Sequence, residues 1–161
     1  MLETLGDLGD FLGGIGVIVT LVYLAIQIRR NTEQTRLNTA GEAWSGIRDA
    51  YEPAYHGNNA EIFRLGLSGE LDPSDADYMT FSMLMLRIIS QFELSLYQAR
   101  HGTLDDELFA MHARLARMNL TSRGGRTWWD TTGSKFFSET LVTEIESVLE
   151  SDRKGPPAGS A

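Results

Sequence analysis

An uncharged run of 18 residues, Phe11 to Ile28 (FLGGIGVIVTLVYLAIQI), constrains this chain more than any other feature. As a helix it is about 27 Å long, just enough for a hydrocarbon core. Eleven of the 18 are Phe, Leu, Ile or Val, and on an insertion scale these contribute roughly −3 to −6 kcal/mol. Gly13, Gly14, Gly16 and Gln27 offset part of that gain. Glu3, Asp7 and Asp10 precede the run, with no Lys or Arg, and Arg29, Arg30 and Arg36 follow it. The positive-inside rule then puts residues 1–10 outside, residues 11–28 in the membrane and residues 29–151 in the cytoplasm. A secretory signal needs a basic start, which this segment lacks. The bland alternative is a buried helix of a soluble oligomer.

Small residues recur along the run. Gly9 and Gly13 form GxxxG, and Gly16 with Thr20 continues the spacing. Such positions let two helix backbones approach in lipid, so these four residues are the expected helix–helix interface.

No Pro or Gly lies between Val17 and Ala40, so the helix is expected to leave the membrane unbroken and to end near Glu52, before Pro53. Leu37, Ala40, Trp44, Ile47 and Tyr51 share one face, which is expected to dock on the rest of the chain. Gln27, Asn31, Gln34 and Asn38 share another. Amides at core positions fix register in a parallel oligomer, or, with Thr35, line a wet opening; otherwise they face solvent.

The remainder reads as helices and no strands. Helices are expected over 60–67, from Ser74 as N-cap to Arg100, from Thr103 to Met118, and over 139–150 with Ser138 as cap. TSRGGR reads as a loop, and residues 152–161 as a disordered Pro/Gly-rich tail. Met79 to Tyr97 is apolar on most faces but carries Arg87 and Glu93, which a second span would bury at a cost of about 2.5–3.5 kcal/mol for the Arg alone. It reads better as the central helix of a bundle, with Met79, Met83 and Met85 filling gaps. The expected fold is all-α: one N-terminal transmembrane helix continuous with a long cytoplasmic helix, plus a helical bundle.

Chemistry is sparse. Cysteine is absent, and the 14 basic against 22 acidic residues, net −8, argue against nucleic acid as a partner. Glu93 lies in an apolar stretch and must be paired or neutral if buried. Tyr97 is one turn on, and His112 and Arg114 on the next helix are expected to reach it, as a structural cluster or as the site of a ligand sensor or enzyme. His56, His101 and His112 lack the spacings of metal motifs, and no phosphate loop or nucleophile elbow occurs, so no metal, cofactor or catalytic residue is expected. Arg123, Arg126, Trp128 and Trp129 form the one basic-aromatic cluster, read either as packing or as a patch for lipid or a partner.

The run GIGVIVTLVYLAIQIRRNTEQTR resembles the start of a group of small bacterial single-span membrane proteins, whose pattern is an N-terminal span followed by YLA-x-Q-hydrophobic-R-x-N-T. FRLGLSGELDPSD, FELSLYQARHGTLDDE and GGRTWWDTTGSKFFSETLVTEIE look like the group's later motifs, so the likeness covers Leu12 to Leu149. The group often has Pro-Gly where this chain has Arg123-Gly124-Gly125. The resemblance implies a bacterial inner-membrane location and a helical cytoplasmic body, and no activity. The leading expectation is a non-catalytic membrane-anchored protein that self-associates through its span. A channel-like homo-oligomer and an accessory subunit of a larger membrane complex are the alternatives.

Overall fold

A computed structural model describes residues 2–153, with side chains from 13 to 150. Six helices account for most of it: α1 (Leu2–Tyr51), α2 (Asn59–Ser68), α3 (Ala76–Arg100), α4 (Asp106–Thr121), α5 (Arg123–Thr131) and α6 (Glu139–Arg153). Short 3-10 turns cover Glu52–Tyr55 and Gly133–Phe136, and no strand occurs among the described residues. Two compact units divide between Asn38 and Thr39. The fold class is all-α, as the sequence implies. Of the expected tail, residues 154–161 lie outside the described residues, while 152 and 153 are still in α6.

The first unit is helical from Leu2 to its end. α1 is long and apolar enough to cross a membrane, and none of its apolar stretch is buried. Pro53, which has no N–H to donate, stands two residues past its end and opens the 3-10 turn.

The second unit is built around α3. Phe81, Met85, Ile88, Ile89, Phe92 and Leu96 recur at helical spacing and are buried. They join one core with Ile62 of α2, Leu120 of α4, Trp128 and Trp129 of α5, and Leu141, Ile145 and Leu149 of α6. Each such aliphatic side chain withdrawn from water contributes about 1.5–3 kcal/mol. The expected covering of α3 on several sides is only partly met. Of its three methionines Met85 alone is buried; Met79 and Met83 stand on an exposed face with Leu94 and Tyr97.

The face by which residues 39–51 of α1 dock is the expected one only in part: Ala40, Ile47 and Tyr51 are half-buried on it, while Leu37, before it, is exposed. Ala43 and Ala50 are buried, whereas Trp44 is 56% exposed. At Gly46 a Cβ would lie 2.5 Å from Cδ of Gln91 on α3. The helix seats here on its smallest residues, with the Gln91 side chain lying over its backbone at Gly46 and Ala43 packed on Leu104 and Leu108. Arg87 closes the same contact from the other side, donating from Nε to the Asp49 carbonyl at 3.1 Å.

The segment expected as a TSRGGR loop is a cap and a helix. The Ser122 hydroxyl accepts the Gly125 N–H at 3.0 Å and starts α5. The glycines that argue against a helix are there for contact. A Cβ on Gly124 would run into the Gly66 carbonyl, and one on Gly66 would run into the Phe81 ring. α2 and α5 therefore touch backbone to backbone. Two other boundaries shift slightly: Asp75 rather than Ser74 precedes α3, and Asp105 rather than Thr103 caps α4, accepting from the Glu107 N–H at 2.9 Å.

Candidate functional site

The residues singled out in the sequence fall into three places. The first is the apolar segment with its amides, all in the first unit. Gly13 and Gly16 have nothing within 4 Å where a side chain would begin. The Thr20 hydroxyl turns back to donate to the Gly16 carbonyl at 2.8 Å, which satisfies it without a second helix. The environment of Gly9 lies outside the described side chains. Gln27, Asn31, Gln34, Thr35 and Asn38 are all exposed. Gln27 Nε2 donates to the Tyr23 hydroxyl at 2.6 Å, and the Thr35 hydroxyl to the Asn31 carbonyl at 2.9 Å. Gln27, Asn31 and Gln34 line one shallow groove with Ile28 and Arg30.

The second place is the expected cluster of Glu93, Tyr97, His112 and Arg114, and the structure does not bring these four together. His112 is buried. Tyr97 is 62% exposed and lies against His101, with ring centroids 4.1 Å apart and the planes tilted by 33°. Arg114 is exposed, in a groove beside Trp44 and Met111. Glu93 is half-buried and accepts the Ser138 N–H at 2.9 Å. Ser138 in turn accepts the Leu141 N–H at 3.3 Å, so Glu93 finishes the capping of α6 from a neighbouring helix. Its partner is a backbone amide because α3 points it at a helix start, away from the α3–α4 contact.

His112 instead meets Ser95, a residue the sequence reading passed over. Ser95 Oγ contacts His112 Nδ1 and donates to the Gln91 carbonyl at 2.9 Å. One helix turn either side of Leu115–Ala116, Asn119 continues this polar line: its Nδ2 donates to the Tyr51 hydroxyl at 2.5 Å and to the Leu115 carbonyl at 3.1 Å. Burial raises the Tyr51 phenol above its ordinary value, against the opposing effect of the Asn119 bond. Burial likewise lowers His112 below the usual histidine range. His112 Nε2 and Asn119 Oδ1 are buried with no protein partner. The spacing of seven from His112 to Asn119, on an otherwise apolar face of α4, was the signal available in the sequence.

The third place is the basic-aromatic cluster, which divides. Trp128 and Trp129 are core residues. Trp129 stacks on Phe137 with centroids 5.8 Å apart, and Gly133 lies against the Trp128 ring. Neither indole is open to lipid or a partner. Arg126 lies 3.6 Å from Asp130, one turn on, and the Arg123 side chain covers Gly69. Packing is therefore the role of the tryptophans.

No family model matches the chain, and no curated protein or solved structure does either.

Proposed function

We propose that the protein is a non-catalytic, membrane-anchored helical interaction protein that self-associates through residues 11–28. The observation that carries this reading is the exposure of every residue from Gly13 to Ile28, eight of which are Val, Leu or Ile at 46–66% exposure on a helix with no cover. Apolar surface on that scale marks a membrane or a partner helix. Lipid satisfies it along its whole length, and the bare Gly13 and Gly16 leave room for a second backbone. Exposed amides beyond the run supply hydrogen bonds between neighbouring copies. The acidic start and the arginines after Ile28 favour the N-terminus outside and the bundle inside. The bacterial cytoplasmic membrane is the location that the sequence resemblance implies.

The test is the particle mass in mild detergent. The wild-type chain is expected as an integer multiple of one copy. Gly13→Leu fills the close-approach position and is expected to weaken self-association about tenfold, roughly 1.4 kcal/mol. A wild-type monomer, or an oligomer indifferent to Gly13→Leu and Gly16→Leu, contradicts the reading. Other chains in the wild-type particle favour an accessory subunit.

A further inference from the structure

A small cavity lies under the last turns of α1, and its wall includes a buried imidazole with one unpartnered nitrogen, His112 Nε2. The cavity has a volume of about 20 Å³, and its wall includes Ala50 and Tyr51 of α1, Gln91 and Phe92 of α3, and His112 of α4. That is room for a single water. His112 is 3% exposed and its Ser95 partner 0%. Ser95 has one proton, already on the Gln91 carbonyl, so its contact with His112 requires the imidazole proton on Nδ1. Nε2 is then a bare acceptor, which suits a neutral ring beside one water.

A second proton on that ring has nowhere good to go. From α1 the ionisable group on the cavity is the Tyr51 phenol, neutral in acid. From α3 only the uncharged Gln91 amide and Ser95 hydroxyl face the ring. On α4 His112 is the ionisable lining residue. The charged side chains next to the lining residues are engaged elsewhere or exposed: Arg48 and Asp49 face solvent together, Glu52 meets His56, Arg87 donates to the Asp49 carbonyl, Glu93 accepts from Ser138, and Arg114 and Arg117 are exposed. No carboxylate lines the cavity among the described residues. An imidazolium there lacks a counter-ion and most of its hydration, and burying a charge without either costs several kcal/mol. Lifting the end of α1 gives it water.

We propose that His112 is an acid-sensitive latch: neutral, it lets residues 43–51 of α1 close over α3 and α4, and protonated, it releases them. The sign follows from linkage. The closed state holds His112 below its ordinary value of about 6.5, so the open state binds the proton more tightly. Closure is fully stable above about pH 6.5 and weakens as pH falls through it. The device would report compartment pH to the helix that continues from the apolar segment, whatever that segment binds.

The test is amide hydrogen exchange of the full chain in detergent at pH 7.5 and 5.0, corrected for intrinsic rates. Opening of residues 43–51 is expected to rise about tenfold or more in acid, while the interior of α6 keeps its protection. His112→Asn keeps an amide near Ser95 but cannot titrate, and is expected to abolish that rise. An unchanged wild type, an equal loss throughout the bundle, or the same rise in His112→Asn overturns the proposal. Should the variant fail to fold, the ring resonances of wild-type His112 decide: a titration midpoint below about 6.5 supports the latch, and one at or above it overturns it.

Discussion

Gly124→Ala is expected to cost the helical body about 3 kcal/mol, read as a fall of about 10 °C in Tm. A single methyl produces so large an effect because of what it meets. The new Cβ would run into the Gly66 carbonyl oxygen, 2.8 Å from the carbonyl carbon and 2.9 Å from the Gly69 nitrogen. These are all backbone atoms, so no rotamer change relieves the clash. α2 and α5 must separate, and α5 carries both buried tryptophans. Overpacking usually costs about 1–3 kcal/mol, and a clash with fixed backbone belongs at the upper end. Gly41→Ala is the matched control. It is also mid-helix but meets nothing within 4 Å, so the gain in helix propensity, about 0.5–1 kcal/mol, is expected to raise Tm. A Gly124→Ala protein that melts with the wild type would mean that α2 and α5 are not in backbone contact.

Trp128→Ala is expected to cost about 3–5 kcal/mol in denaturant unfolding. Trp128 heads the fully buried side chains, and the space it leaves is bounded by helices already held at close approach. Its Nε1 is buried without a protein partner, so the ring is retained for its volume rather than for a hydrogen bond. A domain of this size has about 5–15 kcal/mol in total, so the variant stands near the edge of folding. Trp44→Ala is expected to stay within about 0.5 kcal/mol, because that indole is largely in solvent. Equal losses at the two positions would contradict the seating of α1 on Ala43 and Ala50.

These two positions also show where reading a sequence falls short. Periodicity exposes the long helices, and Pro53 marks the end of α1, because both act within a few residues. Trp44 and Ala43 are adjacent, and hydrophobic patterning favours the larger side chain as the buried one. Which is buried depends on packing against Leu104 and Leu108, about sixty positions later, which take Ala43 and leave Trp44 outside. Arg123-Gly124-Gly125 looks like a loop because glycine weakens an isolated helix. Its value lies in the contact with Gly66, 58 positions earlier, which no local pattern records.

The candidate site divides along the same line. His112 stands out as a polar residue on an apolar face, but Ser95 on α3 is one of many serines until the helices are packed. Glu93 was legible as a carboxylate needing a partner. That its partner is the Ser138 amide depends on where α6 begins relative to α3. The apolar segment needs no tertiary information at all, since its length and composition speak alone.

The most direct test of the account is whether the full chain, expressed in bacteria, stays with membranes through an alkaline carbonate wash and comes off only in detergent. Retention in carbonate and release in detergent are expected, with residues 13–28 as the segment whose replacement by a polar helix frees the protein. A chain found in the soluble fraction, or stripped by carbonate, would contradict it and would assign the exposed apolar face of α1 to a partner in water.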